Sequence, residues 1–528
     1  MNSKLKTVSI LLLILIIAVF FRFWKLTEIP PGLYPDEAIN GNNALGALKT
    51  APSSGGFKLF YPENNGREGL FINIQALSIA IFGNQSWALR LVSALLGVFT
   101  VLGIFFLTKE LFRKNLGASS ERVALLTAFL LAVGFWHVNF SRIGFRAIMV
   151  PFCLVWCFAL LFVALRTKKI IPAIASGIFF GLGFHTYIAF RFAPIIALIP
   201  IFFGRRLAGD WKDKKDKNYW KILIIWLAVT FLIALPMGLY FLKNPADFFG
   251  RTGQVSVFQQ ANPISSFLKS IGKTLLMFNV AGDCNWRHNL ACWPQLEPLT
   301  GLGFLLGLGW LIKNLLKKHS VKIASVFILT WIFAMSLPAI LTSEGLPHAL
   351  RSIGLIPPAF ILAGLGLNLI WNWLEKQFQN KRAAGAVIIG LLIIIMIFEG
   401  WRYFGLWAKN NNVQLAFNQT SKEIGDYLND QPTNIKKYVL VNNDGELVHG
   451  IPMPSQTVMF LTDTYLAVDQ GAKNIFYLTP ENMDQILKDE PFLLIPLENN
   501  DEIKAKIQNI LPNLSLQEKN NFWVFKNF

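Results

Sequence analysis

Two adjacent carboxylates, Asp36 and Glu37, stand just beyond the first long apolar run of a 528-residue chain, behind Pro30, Pro31 and Pro35. Proline fixes φ and stiffens the approach. Ionisable groups held close to lipid are costly and mark functional positions. A carboxylate so placed can act as a general base toward a hydroxyl. Taken alone, the pair also reads as a solvated turn, so the elements that position it decide the matter.

Composition sets the class. With 53% hydrophobic and 14% aromatic residues and only 15% charged ones, the chain reads as a membrane protein. The formal charge of +18 would suit nucleic acid only if the basic residues shared one folded face. Here they alternate with apolar runs, so no nucleic-acid partner is expected. No phosphate-binding loop, dinucleotide fingerprint or zincin helix occurs, which removes nucleotide-driven pumping, cofactor redox chemistry and zincin proteolysis.

Runs long enough to cross about 30 Å of hydrocarbon lie at 8–23, 87–108, 123–140, 147–165, 170–187, 221–242, 299–316, 321–341, 350–373 and 384–400, and a shorter one at 192–203. The expectation is an α-helical polytopic membrane protein of about 11 transmembrane helices with a small C-terminal extracytoplasmic α/β domain. The first run reads as a retained helix, because Arg22, Trp24 and Lys25 form an interfacial anchor where a cleavage site would stand.

Basic residues fix the expected orientation. Lys4 and Lys6, Lys109 to Arg122, Arg166 to Lys169, the stretch 205–221, the stretch 313–322 and Lys376 to Arg382 fall on one side, whereas short connections on the other contain only Arg142, Arg146, Arg191 and Arg351. That asymmetry puts the N-terminus in the cytoplasm and the C-terminus outside. It also gathers Asp36, Glu37, Arg67, Glu68, His137, Arg142, Arg146, His185, Tyr187, Arg191, Asp283, His288, Glu344, His348 and Arg351 on the external side. A solvated rim accounts for a few; arginines in loops this short and apolar are expected to line a shared pocket.

The expected domains are 1–401, spanning the membrane, and 402–528 outside it. The first external loop, 24–86, should contain a short helix over 36–49 and an interfacial helix over 69–82, whose alternative is a true crossing. The second, 243–298, should hold a surface helix over 263–280. Beyond Trp401, helices are expected at 421–429 and 480–487 and strands at 438–441, 474–477 and 492–495. Cys153 and Cys157 share a helix face as small hydrophobes. Cys284 and Cys292 flank a polar loop, in which a disulfide and free thiols are both open readings.

Pro35-Asp36-Glu37-Ala38, then Arg67-Glu68-Gly69-Leu70-Phe71 running to Gly83, then Trp87-Ala88-Leu89-Arg90-Leu91, resemble in order and spacing the membrane glycosyltransferases of the C-type (GT-C) fold. The likeness covers about the first 400 residues and is nearest the branch of protein O-mannosyltransferases and lipid A aminoarabinose transferases, glycosyltransferase family 39-like. It implies a polyprenyl-phosphate-linked sugar donor and transfer on the extracytoplasmic face of the plasma membrane to an acceptor glycan, lipid or protein. The resemblance carries the acceptor-orienting base onto Asp36, a supporting carboxylate onto Glu37, and contacts to the donor phosphate onto Arg67 and Arg351. Glu68, His137, Arg142, Arg146, His185, Tyr187, Arg191, His288 and His348 complete the candidate substrate-binding set. Ile39 and Arg146 depart from the branch, which has an arginine and an aspartate there. With that second acid missing, Asp36 and Glu37 alone are a poor ligand set for a divalent metal, and no metal is assigned to them.

Fixed guanidinium groups stabilise the charge that develops on a departing lipid phosphate. A transporter or flippase of lipid-linked sugars would use similar arginines, but should show polar residues through the bilayer depth and an inverted repeat; spans such as 384–398 are unbroken apolar. A polysaccharide ligase or polymerase differs only in the acceptor.

Overall fold

Helix length and hydrophobicity determine the larger part of the architecture. The computed structural model describes residues 3–49, 56–208, 217–254, 256–315 and 320–528; the loop residues 50–55 and the basic stretch 209–216 lie outside these. Among the described residues nine helices are long and apolar enough to cross a membrane, from Leu5–Phe23 to Lys381–Trp407, and the chain is a polytopic membrane protein. Two of the expected spans are shorter than a crossing. The run over 123–140 breaks into Ser119–Val133, of 15 residues, and Phe135–Phe140. The run over 170–187 yields Ile170–Gly183, of 14 residues.

The chain forms two compact units: residues 1–24 with 93–409, and residues 25–92 with 410–528. The boundary between the units falls inside helix Ser86–Leu116.

In the larger unit, helices Pro298–Leu315 and Ile356–Phe378 pack backbone to backbone. A side chain at Gly366 would collide with the Gly303 carbonyl, and one at Gly307 with that of Leu362. Small residues allow this approach, and close dispersion contact holds helices together where lipid removes the hydrophobic drive. Phe158, Phe180, Trp226, Phe327 and Trp331 interlock as an aromatic core.

Two buried arginines close helix ends in this unit. The helix Ser119–Val133 stops at extended Gly134, which leaves its last carbonyls without intrahelical donors. Arg22 supplies them, donating to Leu131 O at 3.2 Å and Ala132 O at 2.8 Å, and its Nη2 lies 2.7 Å from His137 Nδ1. Arg142 does the same for helix Ser3–Phe23, donating to Phe21 O at 3.0 Å and Trp24 O at 2.8 Å.

The smaller unit is built on a five-stranded sheet in the order Ile475–Leu478, Lys436–Leu440, Phe492–Pro496, Trp523–Lys526, Ser515–Glu518. The first three strands are parallel and the last two join antiparallel. Strand alternation gives the sheet two apolar faces: Val439, Val441, Leu493 and Ile495 pack on one side, and Tyr438, Leu440, Phe492 and Leu494 on the other. Both faces are covered by helices, Gln419–Asn429 and Gln456–Thr462 on the first, Asp501–Ile510 on the second.

The segment 25–92 falls in this compact unit, whereas the sequence expectation groups it with the rest of 1–401. The reason is a shared core: Leu33, Ala38, Ala44, Tyr61, Ile72, Ala76, Ile79 and Leu89 bury themselves with Phe460 and Leu461. Polar ties reinforce it, with Thr457 Oγ1 donating to Leu33 O at 2.8 Å and Asn42 Nδ2 to Gln456 Oε1 at 2.9 Å. The expected helix over 480–487 reduces to a single turn, Met483–Gln485. The expected surface helix is present as Pro263–Leu276, and Cys284 and Cys292 form a disulfide.

Candidate functional site

Helix Pro35–Leu48 begins with Pro35 in its first turn, where a missing N–H costs nothing, and has Asp36 and Glu37 beside it, where the helix dipole favours acids. The two carboxylates then part ways. Glu37 is fully buried and accepts from Arg90 Nε at 2.9 Å and Arg90 Nη2 at 3.1 Å. Its Oε2 also accepts from the Tyr34 N–H at 3.4 Å. Arg90 donates onward to Pro30 O at 2.7 Å and Gly32 O at 3.0 Å. Gly32 itself has φ +67° and lies so near the Phe417 carbonyl that a Cβ would collide with it, so only glycine fits this turn. The proline-rich approach is therefore locked by one buried ion pair.

Asp36 is partly exposed. Its Oδ1 accepts from Asn64 Nδ2 at 2.8 Å, and among the described residues Oδ2 has no hydrogen-bond donor. Asn40 and Asn43 follow at i+4 and i+7 and share its helix face. Their side-chain oxygens take Arg67, whose Nη1 donates to Asn40 Oδ1 at 2.7 Å and Nη2 to Asn43 Oδ1, while Nε donates to Glu63 O at 3.2 Å. Asn43 Nδ2 donates to Tyr465 Oη at 3.4 Å, and His449 Nε2 lies 2.9 Å from the same oxygen. Burial pushes the Tyr465 phenol well above its ordinary value, Glu63 adding to the effect and Arg67 opposing it, so the hydroxyl is neutral at physiological pH. Glu68 is buried and precedes helix Gly69–Phe82.

Arg67, expected at the donor phosphate, is bound to the Asn40 and Asn43 side chains and the Glu63 carbonyl. It is 2% exposed and its guanidinium organises the helix face. Glu37 has both oxygens bonded to Arg90.

In the larger unit the expected pocket residues also separate. His137 and Arg142 are fully buried in the helix-end network, and Arg142 lies against the rings of Tyr403 and Phe404. His185 Nε2 lies 2.8 Å from Ile233 O. Arg146 stacks over Tyr187, 5.4 Å from its centroid. Arg191 donates to Phe248 O at 2.8 Å and stands 4.0 Å from the Phe248 ring centre. It borders a cavity of about 780 Å³ whose other walls, among them Phe184, Phe231, Leu235, Leu239 and Phe241, are apolar. Arg351 donates to Thr342 Oγ1 at 3.0 Å and Glu344 O at 2.8 Å. His288 and His348 line a separate cavity of about 170 Å³.

The sequence reading gave no role to Arg90, Asn40, Asn43 or Asn64. The spacing Asp36, Asn40, Asn43 is a visible helical-face signal; Asn64 carries none.

Comparison with known proteins agrees with this architecture. The family described as Dolichyl-phosphate-mannose-protein mannosyltransferase matches residues 70–240. Among solved structures, ArnT from Cupriavidus metallidurans bound to undecaprenyl phosphate superposes with a TM-score of 0.54 at 12% identity, covering 99% of this chain and 98% of that one. The Archaeoglobus fulgidus oligosaccharyltransferase tethered with an acceptor peptide gives 0.54 at 15% identity, over 90% of this chain and 64% of that one. A mutant of the mycobacterial arabinofuranosyltransferase AftD gives 0.51 at 12% identity, over 99% and 42%. No curated protein matches the chain by sequence. The chain has the GT-C fold of membrane glycosyltransferases.

Proposed function

We propose that the chain moves a sugar from a polyprenyl-phosphate-linked donor to an acceptor hydroxyl on the extracytoplasmic face of the plasma membrane. The observation that carries this reading is the division of labour between neighbouring acids: Glu37 is consumed by Arg90, and Asp36 keeps one carboxylate oxygen without a donor among the described residues. The acceptor oxygen attacks the anomeric carbon, the bond from that carbon to the phosphate oxygen breaks, and the lipid phosphate leaves with the electron pair. Asp36 takes the acceptor proton. Glu37 and Arg90 act as positioning residues by holding the turn on which Asp36 stands.

The lipid carrier finds its chemistry in the larger unit. The apolar cavity beside Arg191 suits part of an isoprenoid chain, and the guanidinium suits its phosphate. Undecaprenyl phosphate bound in the ArnT structure is the same ligand class.

The test is release of free polyprenyl phosphate by the purified protein in detergent, given a polyprenyl-phosphate sugar and a range of acceptors. Release that is lost in Asp36→Asn supports the reading. Binding of the lipid with no sugar transferred to any acceptor would instead favour a transporter, since detergent leaves no second compartment.

A further inference from the structure

The loop closed by Cys284–Cys292 carries a second constellation that the transfer chemistry does not use. Asp283 immediately precedes this loop, His288 lies in it, and His348 comes from a segment 60 residues later. The polypeptide holds the two segments together through the carboxylate itself: Asp283 Oδ2 accepts from the Ala349 N–H at 2.8 Å, while Oδ1 accepts from the Asn285 N–H at 2.8 Å. His288 Nδ1 lies 2.9 Å from Asp283 Oδ2. The imidazoles of His288 and His348 are 5.0 Å apart with planes inclined by 38°, so they converge rather than stack. One donor atom from each of the three residues lies within 4.8 Å of the others.

A separate observation concerns charge. Asp283 is 3% exposed, yet its oxygens meet only two backbone N–H groups and an imidazole; among the described residues no lysine or arginine pairs with it. A buried carboxylate without a cationic partner is costly. Asp283, His288 and His348 all border the cavity of about 170 Å³, which has room for a small ion with a water or substrate oxygen. The surroundings are rigid: beside the disulfide, Arg402 donates to Asn289 Oδ1 at 3.0 Å and Pro294 O at 2.7 Å, and Trp407 Nε1 to Trp286 O at 2.7 Å.

We propose that Asp283, His288 and His348 bind one divalent transition-metal ion of the zinc type. Two imidazoles and a carboxylate are donors that such ions prefer over magnesium or calcium, which take oxygen ligands. Three protein ligands leave the fourth tetrahedral position open toward the cavity, the arrangement of a reactive rather than a sealed structural site. The backbone donors on Asp283 fix the carboxylate as outer partners of metal ligands do.

The experiment needs no transfer activity, so its failure is separate from failure of the proposed function. Untagged full-length protein in detergent is stripped with chelator, exposed to zinc or cobalt, dialysed and assayed for metal by mass spectrometry. About one ion per chain is expected in the wild type, with a visible d–d spectrum for cobalt. His288→Gln and His348→Gln should each lower occupancy at least tenfold while the disulfide and the gel-filtration profile stay unchanged. No binding above background by folded wild-type protein would overturn the site. So would equal occupancy in either variant.

Discussion

Arg90 Nε donates to Glu37 Oε1 at 2.9 Å, with both side chains fully buried and 53 residues apart in sequence. Removing one member of a buried pair leaves the other charge uncompensated, at a cost of about 3–5 kcal/mol, whereas replacing both with apolar residues is far less damaging. Arg90→Met and Glu37→Met should therefore each lower the thermal midpoint in detergent more than the double variant does. The double variant will not recover fully, because Pro30 O and Gly32 O also lose their donor. A double variant less stable than both singles would contradict a charge-pairing role.

Asp36→Asn keeps the size of the side chain and its contact with Asn64 but removes the proton acceptor. Transfer should fall by ~10² to 10⁴-fold, the range of a general base, with an unchanged thermal midpoint. Turnover within a few-fold of wild type would remove Asp36 from the chemistry.

The legible parts of the fold were those with local signals. Pro35 before two acids and the apolar run from Gly69 predict helices that the structure contains as Pro35–Leu48 and Gly69–Phe82. Helix Gln456–Thr462 was not legible: it is buried all round and rich in β-branched residues, so no amphipathic period marks it. The joining of 25–92 to 410–528 was hidden for another reason, since it depends on contacts such as Thr457 to Leu33 across more than 400 residues. At the site, topology placed residues on a side of the membrane but could not report burial. Arg142 reads as a pocket arginine because it lies in a short loop; the structure folds it back onto the last carbonyls of the first helix, where it acts as a cap.

That distinction between arginines is measurable. Arg142→Ala strips donors from the buried Phe21 carbonyl and the partly buried Trp24 carbonyl, and each charge-assisted bond is worth about 1.5–3 kcal/mol, so it should reduce stability and folded yield. Arg191→Ala leaves the helix ends intact and should raise the KM for the polyprenyl-linked donor while the thermal midpoint changes little. Kinetic parameters and midpoints measured on the same preparations decide between the roles; the reverse pattern would exchange them.

Lys49 ties the two stretches of the smaller unit, donating to Asp463 at 2.8 Å and Asp469 at 2.6 Å. Burial alone would lower its pKa, but the bonds to the two aspartates outweigh it and the pKa is raised. A raised folded pKa gives stability that is fully present below the unfolded value, about 10.4, and is lost as pH rises through the folded value. Wild-type thermal stability should thus decline more steeply above about pH 10 than that of Lys49→Met, and equal slopes would show that the tie carries no linkage. Below that range Lys49→Met should be the less stable by about 1 kcal/mol, since the pair is partly exposed.

The proposed orientation rests on where the basic residues are retained. The connections 109–122, 166–169, 205–221, 313–322 and 376–382 hold most of the lysines and arginines between spans, and such loops stay in the cytoplasm. Cysteine labelling can test this cleanly, because Cys153 and Cys157 are buried and Cys284 and Cys292 are joined to each other. In intact cells a membrane-impermeant thiol reagent should reach Glu518→Cys, at the exposed end of strand Ser515–Glu518, and should reach Lys214→Cys only after permeabilisation. Labelling of Lys214→Cys from outside together with protection of Glu518→Cys would invert the topology. Asp36 would then be moved from the face at which the lipid-linked donor is expected, because 25–92 and 410–528 form one compact unit and must lie on the same side.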